Sequence, residues 1–254
     1  AFLVRLRLGH GHLAELVDGR VNGLLDPPAG ERPYAGWLYG SVGVVARTGA
    51  ILDQFQVSLG VVGPASLAEQ SQKLIHEVIN SPEPMGWDHQ LKNEPTLQLN
   101  YQRSWQSPKL ELPADFALDA TPHAGVALGN VYTYANTGAM FRFGQNLPVD
   151  YGPPRVQPSL PGSGYVERAS DGIGWYLFGG VDGRAVARNI FLDGNTFAES
   201  RSVESKTWVG DVQFGAAVVV DGVRFAYTPV IRSREYGGQV NNDQFRALSV
   251  SFRL

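Results

Sequence analysis

Apolar and polar residues alternate along most of this chain. Phe2, Val4, Leu6 and Leu8 share one face, with Arg5 and Arg7 on the other. Leu97, Leu99, Tyr101, Arg103 and Trp105 oppose Thr96, Gln98, Asn100, Gln102 and Ser104. Successive strand side chains point to opposite faces, so this period of two predicts half-buried strands. Further strands are expected over 34–47 and 51–62, as a hairpin around Thr48-Gly49, then up to Leu128 with a bend at Pro122, and over 131–143 and 174–190. A second hairpin, 203–220 and 223–234, turns on Asp221-Gly222, a dipeptide favoured in two-residue hairpins. Leu248, Val250, Phe252 and Leu254 alternate to the last residue. The count is about ten strands in one domain, 1–254.

One stretch breaks the alternation. Residues 66–79 hold no Gly or Pro, and Leu67, Leu74, Ile75, Val78 and Ile79 form an apolar stripe at roughly 3.6-residue spacing, which predicts a helix capped by Ser66. Glu69, Gln72 and His76 fall on its other face, and Ser81-Pro82-Glu83-Pro84 ends it. With its proline loop, the segment 64–95 is a long insertion between strands, a length that usually marks a functional loop. A histidine on a polar helix face is by default a solvated side chain. It is also the usual general base near neutral pH, and Glu69 or Gln72 stands where it can orient the ring.

Composition narrows the classes. The 254 residues carry 30 glycines, 18% charged residues and a net charge of −3, which suits many turns and gives no sign of a nucleic-acid partner. Without cysteine there is no disulfide and no thiolate nucleophile or metal ligand. No apolar run reaches the eighteen residues of a membrane-spanning helix, but a membrane barrel leaves only a weak hydropathy signal. Such a barrel points Leu97, Leu99, Val131, Phe141, Phe225, Val250 and Phe252 at lipid and keeps amides in the lumen. A soluble sandwich has the same period. No GxSxG elbow appears. His10 and His12 share a strand face without an evident third ligand.

The ordered motifs GERPYAGWLYGSVGV (30–44), VVGP…QSQKLIHEVINSPEPMGWDHQLKNEP (61–95), HAGVALGNVYTYANTGAMFRFGQNLPVDYGPPR (123–155) and GWYLFGGVDGRAVARNIFLDGNTF (174–197) resemble the lipid A 3'-O-deacylase (LpxR) family. The resemblance covers roughly residues 25–254. It implies an all-β, antiparallel transmembrane barrel, twelve-stranded in the family and about ten here, with a short helix in an outer loop. It implies location in the Gram-negative outer membrane, insertion by the barrel-assembly machinery, and outer-membrane lipids and lipopolysaccharide as partners. The implied reaction is hydrolysis of the 3'-linked acyloxyacyl ester of lipid A by histidine-activated water with calcium. His76 matches the family's catalytic histidine, with Glu69 and Gln72 as candidate helpers. Arg32 and Tyr34 are candidates for substrate contact, with an ion pair inside the barrel as the other reading of Arg32. Glu31, Glu83 and Asp88 lie in the right loops to be calcium ligands. The family's first strand carries an Asn-Asp pair assigned to calcium and catalysis, whereas AFLVRLRLGH aligns best with its third strand, so an inactive or much weakened deacylase is expected. The alternative function is a non-catalytic outer-membrane barrel: structural, lipopolysaccharide-binding or a small pore.

Overall fold

The structure is a computed structural model that describes residues 2–15, 26, 28, 30–78, 80, 85–148, 172–221 and 223–251; for 2–15 the description is of the backbone. Eleven strands form one antiparallel sheet: β1 (Phe2–Glu15), β2 (Ala35–Thr48), β3 (Ile51–Val62), β4 (Glu94–Trp105), β5 (Leu110–Glu111), β6 (Phe116–Gly129), β7 (Tyr132–Gln145), β8 (Ile173–Asn189), β9 (Trp208–Val220), β10 (Val223–Arg232) and β11 (Asp243–Ser251). Ten of them follow one another in chain order across the sheet, and the two-residue β5 pairs only with β6. The ten long strands are those the alternation predicts. Glu83, Ile79 and Phe252 lie outside the described residues, as do the side chains of His10 and His12.

The sheet curls so that one face of each strand is enclosed. On β7, Tyr132, Tyr134, Asn136, Met140 and Arg142 are buried while Ala135, Thr137, Phe141 and Phe143 are exposed, as expected from the sequence. Leu97, Phe141, Phe225 and Val250 all project outward, each 49–58% exposed. Outward leucines, valines and phenylalanines on nearly every strand are the surface that an antiparallel barrel presents when its outer solvent is hydrocarbon. No helix among the described residues is long and apolar enough to cross a membrane.

The enclosed side holds two apolar cores, one at each end, with a polar layer between them. Trp37, Leu91, Tyr132, Ile190 and Phe191 pack at the end that carries the helical segment. Met140, Tyr176, Phe178 and Val219 pack towards the other. Between them, His123 Nε2 and Asn136 Nδ2 meet Asp182 Oδ2 at 2.8 and 2.9 Å, and Asp211 takes bonds from both Arg184 and Arg232. Buried charge persists only when paired and hydrogen-bonded, and these groups are.

Four departures from the sequence reading have physical causes. Among the described residues β1 pairs only with β2 and β11 only with β10, so the expected closed cylinder is a curled sheet with two unpaired edges. The rims are joined by side chains instead: Arg32, leading into β2, pairs with Glu235 at 2.8 Å and Asp243 at 3.4 Å across the gap. Val131 is fully buried rather than lipid-facing, because it sits in the turn before β7, where strand parity does not hold, and its carbonyl accepts from Ile190 N. The strand expected to run through Ile190 stops at Asn189, whose side chain accepts from Phe191 N and caps a four-residue helix, α2 (Ile190–Asp193), driven into the apolar core. β9 begins at Trp208 rather than Val203, because the preceding segment is tied elsewhere, with Lys206 N bonded to Glu235 O.

Candidate active site

The segment between β3 and β4 builds the site. Gly63, at φ 100°, turns the chain out of β3, and its N–H bonds Gly36 O. A 3-10 turn (Pro64–Ser66) follows, then Leu67 in the left-handed region, then α1 (Ala68–Val78). The helix thus starts one residue later than a Ser66 cap requires, and Ser66 Oγ, buried, has no hydrogen-bond partner. α1 lies over the β1–β2 edge of the sheet. Gly36 allows this approach: a Cβ there would stand 2.1 Å from Ala68 Cβ and 2.4 Å from Ser66 Oγ.

The helix is turned opposite to an ordinary surface helix. Leu67, Leu74, Ile75 and Val78 are 54–77% exposed, while Ala68 and Gln72 are buried and His76 is half-buried one turn further on. A soluble protein buries the apolar stripe of such a helix. Here the stripe continues the outward apolar face of the strands, and the polar residues are turned towards the wall.

A second short turn, 87–89, closes over the inner face of α1. Trp87, 3% exposed, donates from Nε1 to Gln72 Oε1 at 3.0 Å and packs against Tyr34 with ring centroids 5.1 Å apart. Leu91 N bonds Tyr34 O, which fastens the returning chain to the start of β2. Burial pushes the Tyr34 phenol up, so it stays protonated at neutral pH. Tyr34, Ala68 and Trp87 form an apolar floor, and Gln72 Nε2 is buried without a partner.

The family model described as outer membrane protein LpxR matches residues 24–254. The chain belongs to this family. The solved structure of LpxR from Salmonella typhimurium has the same fold, with a TM-score of 0.87 and 17% sequence identity, over 99% of this chain and 84% of that one. No curated relative matches the sequence. As an LpxR family member the protein is an outer-membrane barrel.

The structure gathers some of the residues singled out from the sequence and separates others. Gln72, His76 and Tyr34 belong to the α1 region. Glu69 forms an exposed ion pair with Lys73 at 2.9 Å. The Gln72 carbonyl is held by Trp87, so it is that indole rather than the His76 ring that it accepts from. Arg32 takes the ion-pair reading: 8% exposed, it bridges Glu235 and Asp243. Burial pushes the Glu235 carboxyl up, but Arg232, Arg32 and Arg184 outweigh it and hold it below the usual range. Glu31 accepts from Tyr236 Oη at 3.2 Å, and burial, with Glu31 beside it, pushes that phenol up to about 12. Asp88 is exposed on the 87–89 turn.

Calcium needs six to eight oxygens converging on one point. Among the described residues no group of three or more His, Asp or Glu stands together. Glu31 accepts from Tyr236 Oη and Asp88 is exposed, while Glu83 lies outside the described residues, and no chemical step here passes through the ion.

The sequence reading missed Trp87. Its indole sits fifteen positions from Gln72, beyond a proline loop, and no local period links the two. The only hint is a tryptophan in an otherwise polar run, Gly86-Trp87-Asp88-His89.

Proposed function

We propose that this chain hydrolyses the 3'-linked acyloxyacyl ester of lipid A, with His76 as general base. At the coarser level of the family, the LpxR match supports an outer-membrane lipid A deacylase. The observation that carries the finer reading is the reversed helix: α1 turns its apolar stripe towards the lipid side and its Gln72–His76 face towards the barrel wall. A base held between helix and wall meets an ester that arrives with its hydrocarbon already in the bilayer. An exposed apolar patch continuous with a lipid-facing wall is the surface such a substrate requires.

Neutral His76 takes a proton from water as the water oxygen attacks the ester carbonyl carbon. The carbonyl oxygen becomes an oxyanion, and a positioned N–H donor is the means of stabilising it without a metal. The intermediate collapses, the bond between the carbonyl carbon and the sugar 3'-oxygen breaks, and the imidazolium returns its proton to the departing sugar alkoxide. The products are a carboxylic acid and an alcohol. Gln72, with its buried Nε2 unpartnered one turn before His76, is such a donor.

The small-pore reading is opposed by the filled interior, where Trp37, Leu91, Ile190 and Phe191 are 0–3% exposed within the lumen core. The test is mass spectrometry of lipid A incubated with the purified chain. Loss of the 3'-linked acyl chain that disappears in His76→Ala supports the proposal. Binding without release is the outcome of a non-catalytic lipopolysaccharide binder and refutes it.

A further inference from the structure

Gln72 and Trp87 together contain more information than a packing contact. An indole nitrogen only donates, so the amide atom facing Trp87 is the oxygen. That fixes which way the amide points: Oε1 towards Trp87, Nε2 away from it. Both side chains are more than nine-tenths buried, so water does not compete for the bond. Trp87 is itself held. Its ring lies against Tyr34 at an interplanar angle of 59°, and the 86–90 backbone is pinned by His89 N to Gly86 O and Gln90 N to Trp87 O. Gly86, at φ 135°, takes the conformation that lets the chain enter this turn.

The consequence falls on Nε2. A buried N–H without an acceptor is costly and rare in folded proteins, and exceptions are expected where a ligand supplies the missing partner. Gln72 Nε2 is such a group, on the same side of α1 as His76 and one turn away. An amide turned the other way would present Oε1, repelling the oxygen it is meant to hold.

We propose that Trp87 is a positioning residue: by locking the Gln72 carbonyl it keeps the Gln72 amide nitrogen directed at an oxygen of the acyl ester beside His76. This rests on the deacylase reading. Trp87 does not touch the substrate; it acts through Gln72, and it ties the loop beyond the helix to the helix that carries the base.

The experiment pairs turnover on lipid A with hydrogen exchange of the indole N–H groups in the full chain, labelled with 15N-tryptophan and held in detergent micelles. Trp87→Phe assigns the Trp87 resonance, and the other four tryptophans report whether the fold is kept. The Trp87 N–H is expected to exchange slowly in the unaltered protein and in Gln72→Glu, whose carboxylate still accepts, and to lose that protection in Gln72→Leu. Gln72→Glu, which replaces the donor by an acceptor, loses turnover although the tether survives. Trp87→Phe lowers kcat by about ten- to a hundredfold with KM little changed, the size expected when a reacting group is misplaced by about 1 Å. Trp87→Phe combined with Gln72→Leu is no slower than Gln72→Leu alone. The proposal is overturned by full kcat in Trp87→Phe, by indole exchange indifferent to Gln72→Leu, or by additive losses in the double variant. No release by the unaltered chain overturns the deacylase reading, and this proposal with it. That outcome is distinct from a turning-over enzyme indifferent to Trp87.

Discussion

Arg142→Met tests the inside of the barrel. Arg142 on β7 stands directly across from Asp119 on β6, and both side chains are fully buried. The guanidinium binds the carboxylate in two places: Nε to Oδ1 at 2.8 Å, and one terminal nitrogen to Oδ2. It also lies 5.2 Å from the Tyr176 ring centroid. Methionine fills most of the volume and removes the charge. The Asp119 carboxylate then keeps one long bond, from Gln106 Nε2 at 3.4 Å, in a site without solvent. Breaking a buried pair from one side costs about 3–5 kcal/mol, because the remaining charge is uncompensated. With a urea slope of about 2 kcal/mol per M, the unfolding midpoint falls by about 2 M. Asp119→Leu combined with Arg142→Met removes both charges and is expected near the wild-type midpoint, since an apolar pair of similar volume commonly matches a buried ion pair. Urea titration of refolded protein in lipid vesicles, followed by tryptophan fluorescence, reads wild type and both variants. A single variant within about 0.5 kcal/mol of wild type, or a double variant as unstable as the single, refutes the burial argument.

Other consequences follow from the same geometry. Phe141→Arg, one residue away but on the opposite face, is expected to cost about 2–4 kcal/mol in vesicles if the site lies near the bilayer midplane; a loss of a few tenths contradicts a lipid-facing β7. Gly36→Val pushes a side chain into Ala68 and Ser66, so it is expected to displace α1 and remove deacylation while the strand circular dichroism is unchanged; full activity contradicts the close approach. The Glu235 carboxyl is held low in the folded state, so its ionised form stabilises the protein above the usual carboxylate pKa, and this contribution is lost as pH falls through the lower folded value. Melting temperature is therefore expected to drop below about pH 4 in wild type and to change less in Glu235→Gln; parallel curves for the two remove Glu235 from the account.

Much of the wall was legible in the sequence because one physical rule governs it. A strand with lipid outside and polar groups inside must alternate, and Tyr132 to Phe143 alternates without a slip. The rule fails where the chain leaves the sheet. Val131 keeps the apolar character of the β7 pattern but belongs to a turn, and Ile190-Phe191-Leu192 reads as strand yet winds into α2 because Asn189 caps it. Edge pairing was illegible for another reason: alternation describes one strand at a time and says nothing of whether the first meets the last. In the site, helical spacing placed Glu69, Gln72 and His76 on one side of α1, and it found the apolar stripe. It did not reveal that the stripe faces outward, which depends on the solvent. Arg32 remained open between lipid contact and ion pair because its partner Glu235 lies 203 positions away. The Trp87–Gln72 bond was hidden by the same non-locality.

The most direct test of the central claim is the fate of the 3'-linked acyloxyacyl chain of lipid A. Purified protein of residues 1–254 is incubated with lipid A in mixed micelles, beside His76→Ala prepared in the same way. Mass spectrometry follows the loss of that chain and the appearance of the free acid. The account predicts release by the unaltered protein, abolished in His76→Ala, with both barrels equally folded. Equal release by the two proteins, or none by either, contradicts it.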